Sequence, residues 1–150
     1  MAIERAPELE ELVEQANEAY RAGDFDTVVA SLSEDDALLV VGTDPDELWQ
    51  GREEIVESLR AEMASRGEEG SPQSSTSESH GFRSGDIGWV FTRGQFGLAD
   101  GSEIPTRTIS ILQRENGDWK FVQFVSSIAV PNSALEAGSP LAAGLSRAAR

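Results

Sequence analysis

The chain has 150 residues, 39% hydrophobic and 26% charged, with 27 acidic against 12 basic side chains and a net charge of −15. This suits one soluble domain able to bury roughly 70% of its unfolded surface, and the charge repels phosphate backbones and anionic lipid, so nucleic acid and membranes are excluded as partners. No cysteine is present, which removes disulfides, thiolate metal sites and cysteine nucleophiles.

The opening MAIERAPELEELVEQ has neither a basic region nor an apolar core, and no run is long enough to span a bilayer. The expected location is therefore the cytoplasm. Across residues 8–22, Leu9, Leu12, Val13, Ala16, Ala19 and Tyr20 recur three and four apart, the spacing of one helical face. Gly23 ends that helix, and Asp24 is placed to cap a short second helix through Phe25, Val28, Val29 and Leu32.

Residues 37–63 form the unit around which the rest is organised. A buried strand at 37–41 leads into a polar turn on Gly42, Asp44 and Pro45, then into an amphipathic helix after Gly51. Glu53 and Glu54 occupy its first turn, where the helix dipole favours negative charge, and Ile55, Leu59 and Met63 make an apolar stripe. Trp49 stands between strand and helix, where a large ring can close the end of a core.

The polar stretch 67–78 reads as a loop whose second half is an exposed edge strand. SHGFRS and DIGWVFTRGQFGL follow as strands split by Gly85-Asp86, with a further turn at 99–103. TRTISILQR alternates, Asn116-Gly117 is a strong hairpin signal, and a last strand covers 119–130 before Pro131. The domain is expected to fill residues 1–132. The tail, 133–150, is read as either disordered or a short helix.

With Asn116-Gly117 as a two-residue turn, Arg114 faces Trp119. One sheet face then carries Arg107, Ile109, Ile111, Val122, Phe124 and Ser126. The other carries Thr108, Ser110, Leu112, Trp119, Phe121, Gln123 and Val125. Both faces are apolar enough to need a cover, and a homodimer through the sheet is the simplest supplier.

The order of elements, with Ala22-Gly23-Asp24, the run from Gly42 through Trp49 and Gly51-Arg52-Glu53 to Ile55, and Asn116-Gly117-Asp118-Trp119-Lys120-Phe121-Val122, resembles the SnoaL-like branch of the NTF2-like superfamily. Ser127 and Pro131-Asn132 fit the same pattern. The resemblance implies an α+β cone, with N-terminal helices packed in a curved, mixed, mostly antiparallel sheet around a pocket, and it implies homodimers. Function does not transfer with this fold, which hosts isomerases, cyclases, dehydratases and association domains.

Ketosteroid isomerase chemistry needs an Asp base and an oxyanion hole made by a Tyr and a protonated Asp. Aligned on Ala22-Gly23-Asp24, those positions fall at or near Ala16, Val41 and Ile111, all apolar, so that constellation is excluded. His80, the single histidine, and Tyr20, the single tyrosine, are the remaining acid–base candidates. Arg107 is placed either to hold an anionic ligand group inside the cone or to pair with an internal carboxylate. Trp49, Trp89, Phe124 and Ser126 complete the expected ligand lining. Asp44, Asp46 and Glu47 read as turn builders rather than a calcium loop, and no metal or cofactor is expected. The leading reading is a homodimer, without demonstrated activity, that binds a small, partly apolar ligand. The alternatives are an isomerase- or cyclase-type enzyme on a polycyclic or polyketide-like substrate, and an association module without ligand.

Overall fold

A computed structural model describes residues 1–66, 74–98 and 100–148. After β1 (Glu4–Arg5), the first apolar periodicity forms α1 (Pro7–Arg21), with proline in its first turn and Glu8 and Glu10 beside it to complement the dipole. Its inward stripe buries Leu9 and Val13. Gly23 turns the chain at φ +72°, and the Asp24 carboxylate caps α2 (Phe25–Ala30), accepting from the Thr27 amide at 3.2 Å and hydroxyl at 2.6 Å.

The expected strand is shorter than read, β2 (Leu39–Val41), and a second one lies inside what the sequence indicated as a turn: β3 (Leu48–Gln50) pairs antiparallel with β2. Three residues are too few to show alternation, which is why β3 was not visible. The acidic turn between them is built by its own carboxylates. Asp44 accepts from the Asp46 amide and Glu47 from the Asp44 amide, both at 3.0 Å. α3 (Arg52–Ser65) then buries Ile55, with Leu59 packed on the core at its edge. Arg52 donates from the start of α3 to the carbonyls of Val29, Leu32 and Ser33 at 3.0–3.2 Å, tying α3 to the end of α2 and the segment that follows it.

The long strands are β4 (Ser74–Ser84), β5 (Ile87–Gly97), β6 (Glu103–Glu115) and β7 (Asp118–Ile128), followed by a 3-10 turn (Asn132–Leu135) and α4 (Pro140–Ala148). The first half of the polar loop, residues 67–73, and Ala99 of the 99–103 turn lie outside the described residues. All seven strands among the described residues join one sheet in the order β1-β4-β5-β6-β7-β2-β3, antiparallel except for the β2–β7 pair. Asn116 and Gly117 sit at φ +52° and +90°, as a two-residue hairpin between right-twisted strands requires. The fold is α+β. No described helix is long and apolar enough to cross a membrane.

Helices α1 and α3 cover one face, and the core of Leu9, Val13, Leu38, Ile55, Val90, Leu112 and Phe121 lies between them and the sheet. Two inward glycines set how closely α1 approaches. A Cβ on Gly81 would stand 2.5 Å from the Ala6 carbonyl, and one on Gly88 would stand 2.3 Å from Leu9.

The expected division of the final hairpin needs one correction. Ile111 pairs with Gln123 but Leu112 pairs with Phe121, so Val122 is an extra residue, a β-bulge. Beyond it every β7 side chain changes face. Phe124 and Ser126 therefore lie opposite Ser110 and Thr108 on the helix-covered face, while Gln123 and Val125 share the outer face with Ile111 and Ile109.

Candidate ligand site

The register lays the helix-covered face out in rows. Val90, Ser110, Phe124, Val40 and Trp49 are successive cross-strand partners from β5 to β3. The next row is composed of hydroxyls throughout: Ser79 pairs with Thr92, Thr92 with Thr108, and Thr108 with Ser126. Beyond it come Gly94, Thr106 and Ile128, then Phe96 opposite Ile104. Passing along the strands, the inner face thus runs from packed core through a band of hydroxyls to an apolar rim.

Ser110 is 0% exposed and Thr92 6%. Thr108 Oγ1 lies 2.9 Å from Thr92 Oγ1, and the buried hydroxyl oxygens of Ser110 and Ser79 have no hydrogen-bond partner among the described residues. Two carboxylates of α1 approach this face already matched. Glu10 accepts from the Gly81 amide at 2.7 Å and pairs with Arg5, and Glu14 accepts from Thr76 at 3.0 Å and pairs with Arg21 at 2.7 Å.

Of the expected lining, Trp49, Phe124 and Ser126 share the helix-covered face. Arg107 does not. It is exposed on the outer face between Arg93 and Ser127, because inward positions on β6 are the even-numbered ones up to Leu112. Trp89 lies on the same outer face, stacked on Phe82 with ring centroids 6.1 Å apart. The positions aligned with catalytic carboxylates also need correction. Val41 and Ile111 face outward, and their inward neighbours are Val40, Ser110 and Leu112, none of which titrates.

The two acid–base candidates stand on opposite sides of the sheet. His80 is half-exposed on the outer face over Phe91, with Nε2 2.7 Å from Glu78 and Nδ1 3.4 Å from Arg5. Arg5 can only donate, so Nδ1 accepts and the Nε2 proton goes to Glu78. That hydrogen bond, with Arg93 at 3.3 Å, holds the Glu78 carboxyl below its ordinary value. Tyr20 sits between the C-terminal ends of α1 and α3, its hydroxyl donating to Glu62 and its ring 4.1 Å beneath the Arg66 guanidinium. Arg66 also pairs with Glu62 and donates to the Tyr20 carbonyl at 3.2 Å. Burial, then the Glu62 carboxylate, push the phenol well above its ordinary value, so its proton is committed to fastening two helices.

Among the described residues no three His, Asp or Glu side chains converge as a metal site. An open depression of about 410 Å³ beside the β4–β5 turn touches Arg83 and Arg114, which are paired with Glu4, Glu8 and Asp86.

The family model described as a SnoaL-like domain matches residues 9–131. The chain belongs to the SnoaL-like family. No curated protein matches its sequence. Among solved structures, this SnoaL-like chain is similar to an NTF2-like protein of unknown function from Pseudomonas putida KT2440, at 15% identity over 90% of this chain and 94% of that one, with a TM-score of 0.70. A proposed calcium/calmodulin-dependent protein kinase II association domain from Xanthomonas campestris matches at 17% identity over 81% and 86%, TM-score 0.62. A proposed ketosteroid isomerase from Shewanella frigidimarina matches at 18% identity over 78% and 92%, TM-score 0.65. Identities this low establish the NTF2-like fold of the SnoaL-like chain and nothing finer.

Proposed function

We propose that the protein is a cytoplasmic SnoaL-like homodimer that binds a small, partly apolar molecule in a cone between its helices and the inner sheet face. The observation that carries the pocket is that the inner face runs on past the core. By alternation Phe96 and Ile128 point to the helix side, yet they are 38% and 41% exposed, and Phe124 and Trp49, in the row of Val90 and Ser110, are only half-buried. Apolar side chains around an open end of a sheet, next to a few hydroxyls, match the usual lining of a small-molecule site. The dimer is supported by the outer face. Ile87, Ile109, Val125 and Leu48 are 39–52% exposed there, contiguous with Phe82, Trp89, Phe91 and Ile111. Solved relatives described as association domains agree with a role for assembly in this fold.

A thermal-shift screen of small apolar compounds tests the pocket. Compounds that raise the Tm of the native chain are expected to lose their effect in Ser126→Phe, which fills the space beside Phe124, with the unliganded Tm of the variant measured alongside. A screen without stabilising compounds, or hits indifferent to that filling, overturns the pocket. Light scattering that shows a monomer at micromolar concentration overturns the dimer.

A further inference from the structure

The outer sheet face carries a charge pattern as well as an apolar one. Resting on the sheet-to-sheet dimer proposed above, we infer that Arg107, with Arg93 beside it, pairs with Asp44 and Asp46 on the β2–β3 turn of the second copy, and that these reciprocal pairs fix how the two sheets are oriented.

Arg107 is exposed, and its guanidinium meets no carboxylate among the described residues. Its cross-strand neighbours are Arg93 on one side and Ser127 on the other. Like charges directly opposite each other on a sheet repel, and Arg93 already has a carboxylate of its own, Glu78 at 3.3 Å. A chain with net charge −15 has no need of a further cation here for solubility. An unmatched arginine at the border of an apolar patch is instead the residue that interfaces favour.

The carboxylates that would match it lie at the same level of the sheet. Val41 stands opposite Val125 in the parallel β2–β7 pair and opposite Leu48 in the β2–β3 pair. The turn that joins β2 to β3 therefore runs on to the level of Ser127, which is also the level of Arg107 and Arg93. Asp44 and Asp46 are exposed at its tip. Asp44 accepts from the Asp46 amide at 3.0 Å, whereas the Asp46 carboxylate has no partner among the described residues. Read across the sheet, this level is basic on β5 and β6, neutral on β7 and acidic at the β2–β3 turn. The adjoining level, Phe91, Ile109, Val125, Val41 and Leu48, is apolar throughout.

Both levels are centred on β7, and that selects a symmetry axis. A two-fold axis lying between the sheets and running along β7 sets β6 over β2 of the second copy and β5 over its β3. Ile109 then covers Val41, Val125 meets its own equivalent, and Phe91 covers Leu48, which at 52% exposed is the most exposed apolar side chain of the described strands. The same rotation brings the two arginines onto the acidic turn, twice per dimer. An axis across the strands at Ile109 would set Arg107 over Ile111 and the acidic turn over Leu39, burying charges of both signs against apolar side chains.

A charge exchange tests this, read by sedimentation velocity over a dilution series. Arg107→Glu and Asp46→Lys are each expected to raise the dimer Kd about ten- to a hundredfold, because each sets like charges together in two places. Arg107→Glu/Asp46→Lys in one chain is expected to return to within about threefold of the native Kd. So is the heterodimer in an equimolar mixture of the two single variants, seen by native mass spectrometry, since both of its contacts again join opposite charges. Net charge alone predicts otherwise: Asp46→Lys makes each copy less negative and would tighten the dimer. Should a reversed charge disturb the turn, the cycle of Arg107→Ala, Asp46→Ala and their combination adds no charge, and is expected to show about threefold or greater coupling. A native dimer indifferent to both reversals, a tighter Asp46→Lys dimer, an exchange that restores nothing, or a cycle without coupling overturns the pairing and leaves the dimer standing. A native monomer at micromolar concentration overturns the dimer, and this inference with it.

Discussion

Ile109 gives the sharpest test of the outer face. It stands in the middle of β6 with Phe91 on one side and Val125 on the other, and 43% of it is exposed in the single chain. Burying a whole isoleucine side chain is worth about 1.5–3 kcal/mol, so the exposed remainder is worth roughly 0.6–1.3 kcal/mol. A two-fold interface uses each patch twice, which makes about 1.3–2.6 kcal/mol per dimer, or roughly ten- to eightyfold in the dissociation constant. Ile109→Ala keeps the β-carbon and belongs in the lower part of that range. Ile109→Asp adds the cost of burying two carboxylates without partners and should give a monomer throughout the micromolar range. Because the residue is already half in water, Ile109→Ala should shift urea unfolding, measured under conditions where the native chain is also monomeric, by no more than about 1 kcal/mol. Sedimentation velocity over a dilution series reads the equilibrium. Leu141→Asp provides the control, since Leu141 on α4 is also partly exposed but lies outside the sheet. An Ile109→Asp dimer as tight as the native one, or equal effects of Leu141→Asp, would refute the assignment of the interface to this face.

Tyr20, with its folded pKa raised above the ordinary 10.0, contributes stability that is fully present below pH 10 and is lost as the pH climbs through the raised folded value. Tyrosinate absorbance of this single tyrosine should therefore appear only with unfolding in an alkaline titration, and a step near pH 10 in the folded protein would contradict its fastening to Glu62. The Asp24 carboxyl is held below its ordinary 3.8, first by the Thr27 hydroxyl and then by the Thr27 amide, so its cap is present above about pH 4 and lost as pH falls through the depressed value. Asp24→Ala should lower Tm by roughly 2–5 °C at neutral pH and flatten the acid limb of a Tm-against-pH curve. Deleting Val122 should leave a folded chain, because Phe121 and Gln123 then alternate regularly and every later side chain keeps its face. Deleting Val125 turns Ser126 outward and should lower Tm far more, as differential scanning fluorimetry would show.

Most of the element order was legible because it rests on local chemistry. The α1 stripe, the Asp24 cap, the Gly51 entry to α3 and the Asn116-Gly117 turn each announce themselves within a few residues. The site was legible only as far as β6, since the turn fixes which residues of β6 and the start of β7 share a face. The bulge at Val122 has no mark in the sequence: Phe121, Val122, Gln123, Phe124 and Val125 read as a strand with or without an extra residue. Its cause is tertiary, for at that point Phe121 leaves simple pairing to exchange backbone hydrogen bonds with Ser31 and Ser33, at 2.9 and 2.8 Å, and β7 takes up β2 as a parallel partner. That is why Phe124 and Ser126 were grouped with Arg107, and why the hydroxyl row was not seen as a row. The signal that could have shown it is the inward glycine set. Gly88 and Gly94 on β5 alternate with Trp89, Phe91 and Arg93, and fix Val90 and Thr92 beneath the helix.

The register of β6 can be argued from cost as well as geometry. Slid by one residue, this strand would bury Ile109 and Ile111 and expose Thr108 and Ser110, which on hydrophobicity alone is the better arrangement. The same slip would turn Arg107 inward and bring Ser110 out of reach of Val90, and a guanidinium inside needs a carboxylate that Glu10 and Glu14, already engaged, do not offer. The hairpin turn and the close packing of Leu9 on Gly88 hold the observed register against the hydrophobic preference. A chain under selection for folding alone would have relieved the conflict by exchanging its serines and isoleucines between the two faces. Isoleucines retained outside leave an apolar outer face, the feature on which the proposed sheet-to-sheet dimer rests.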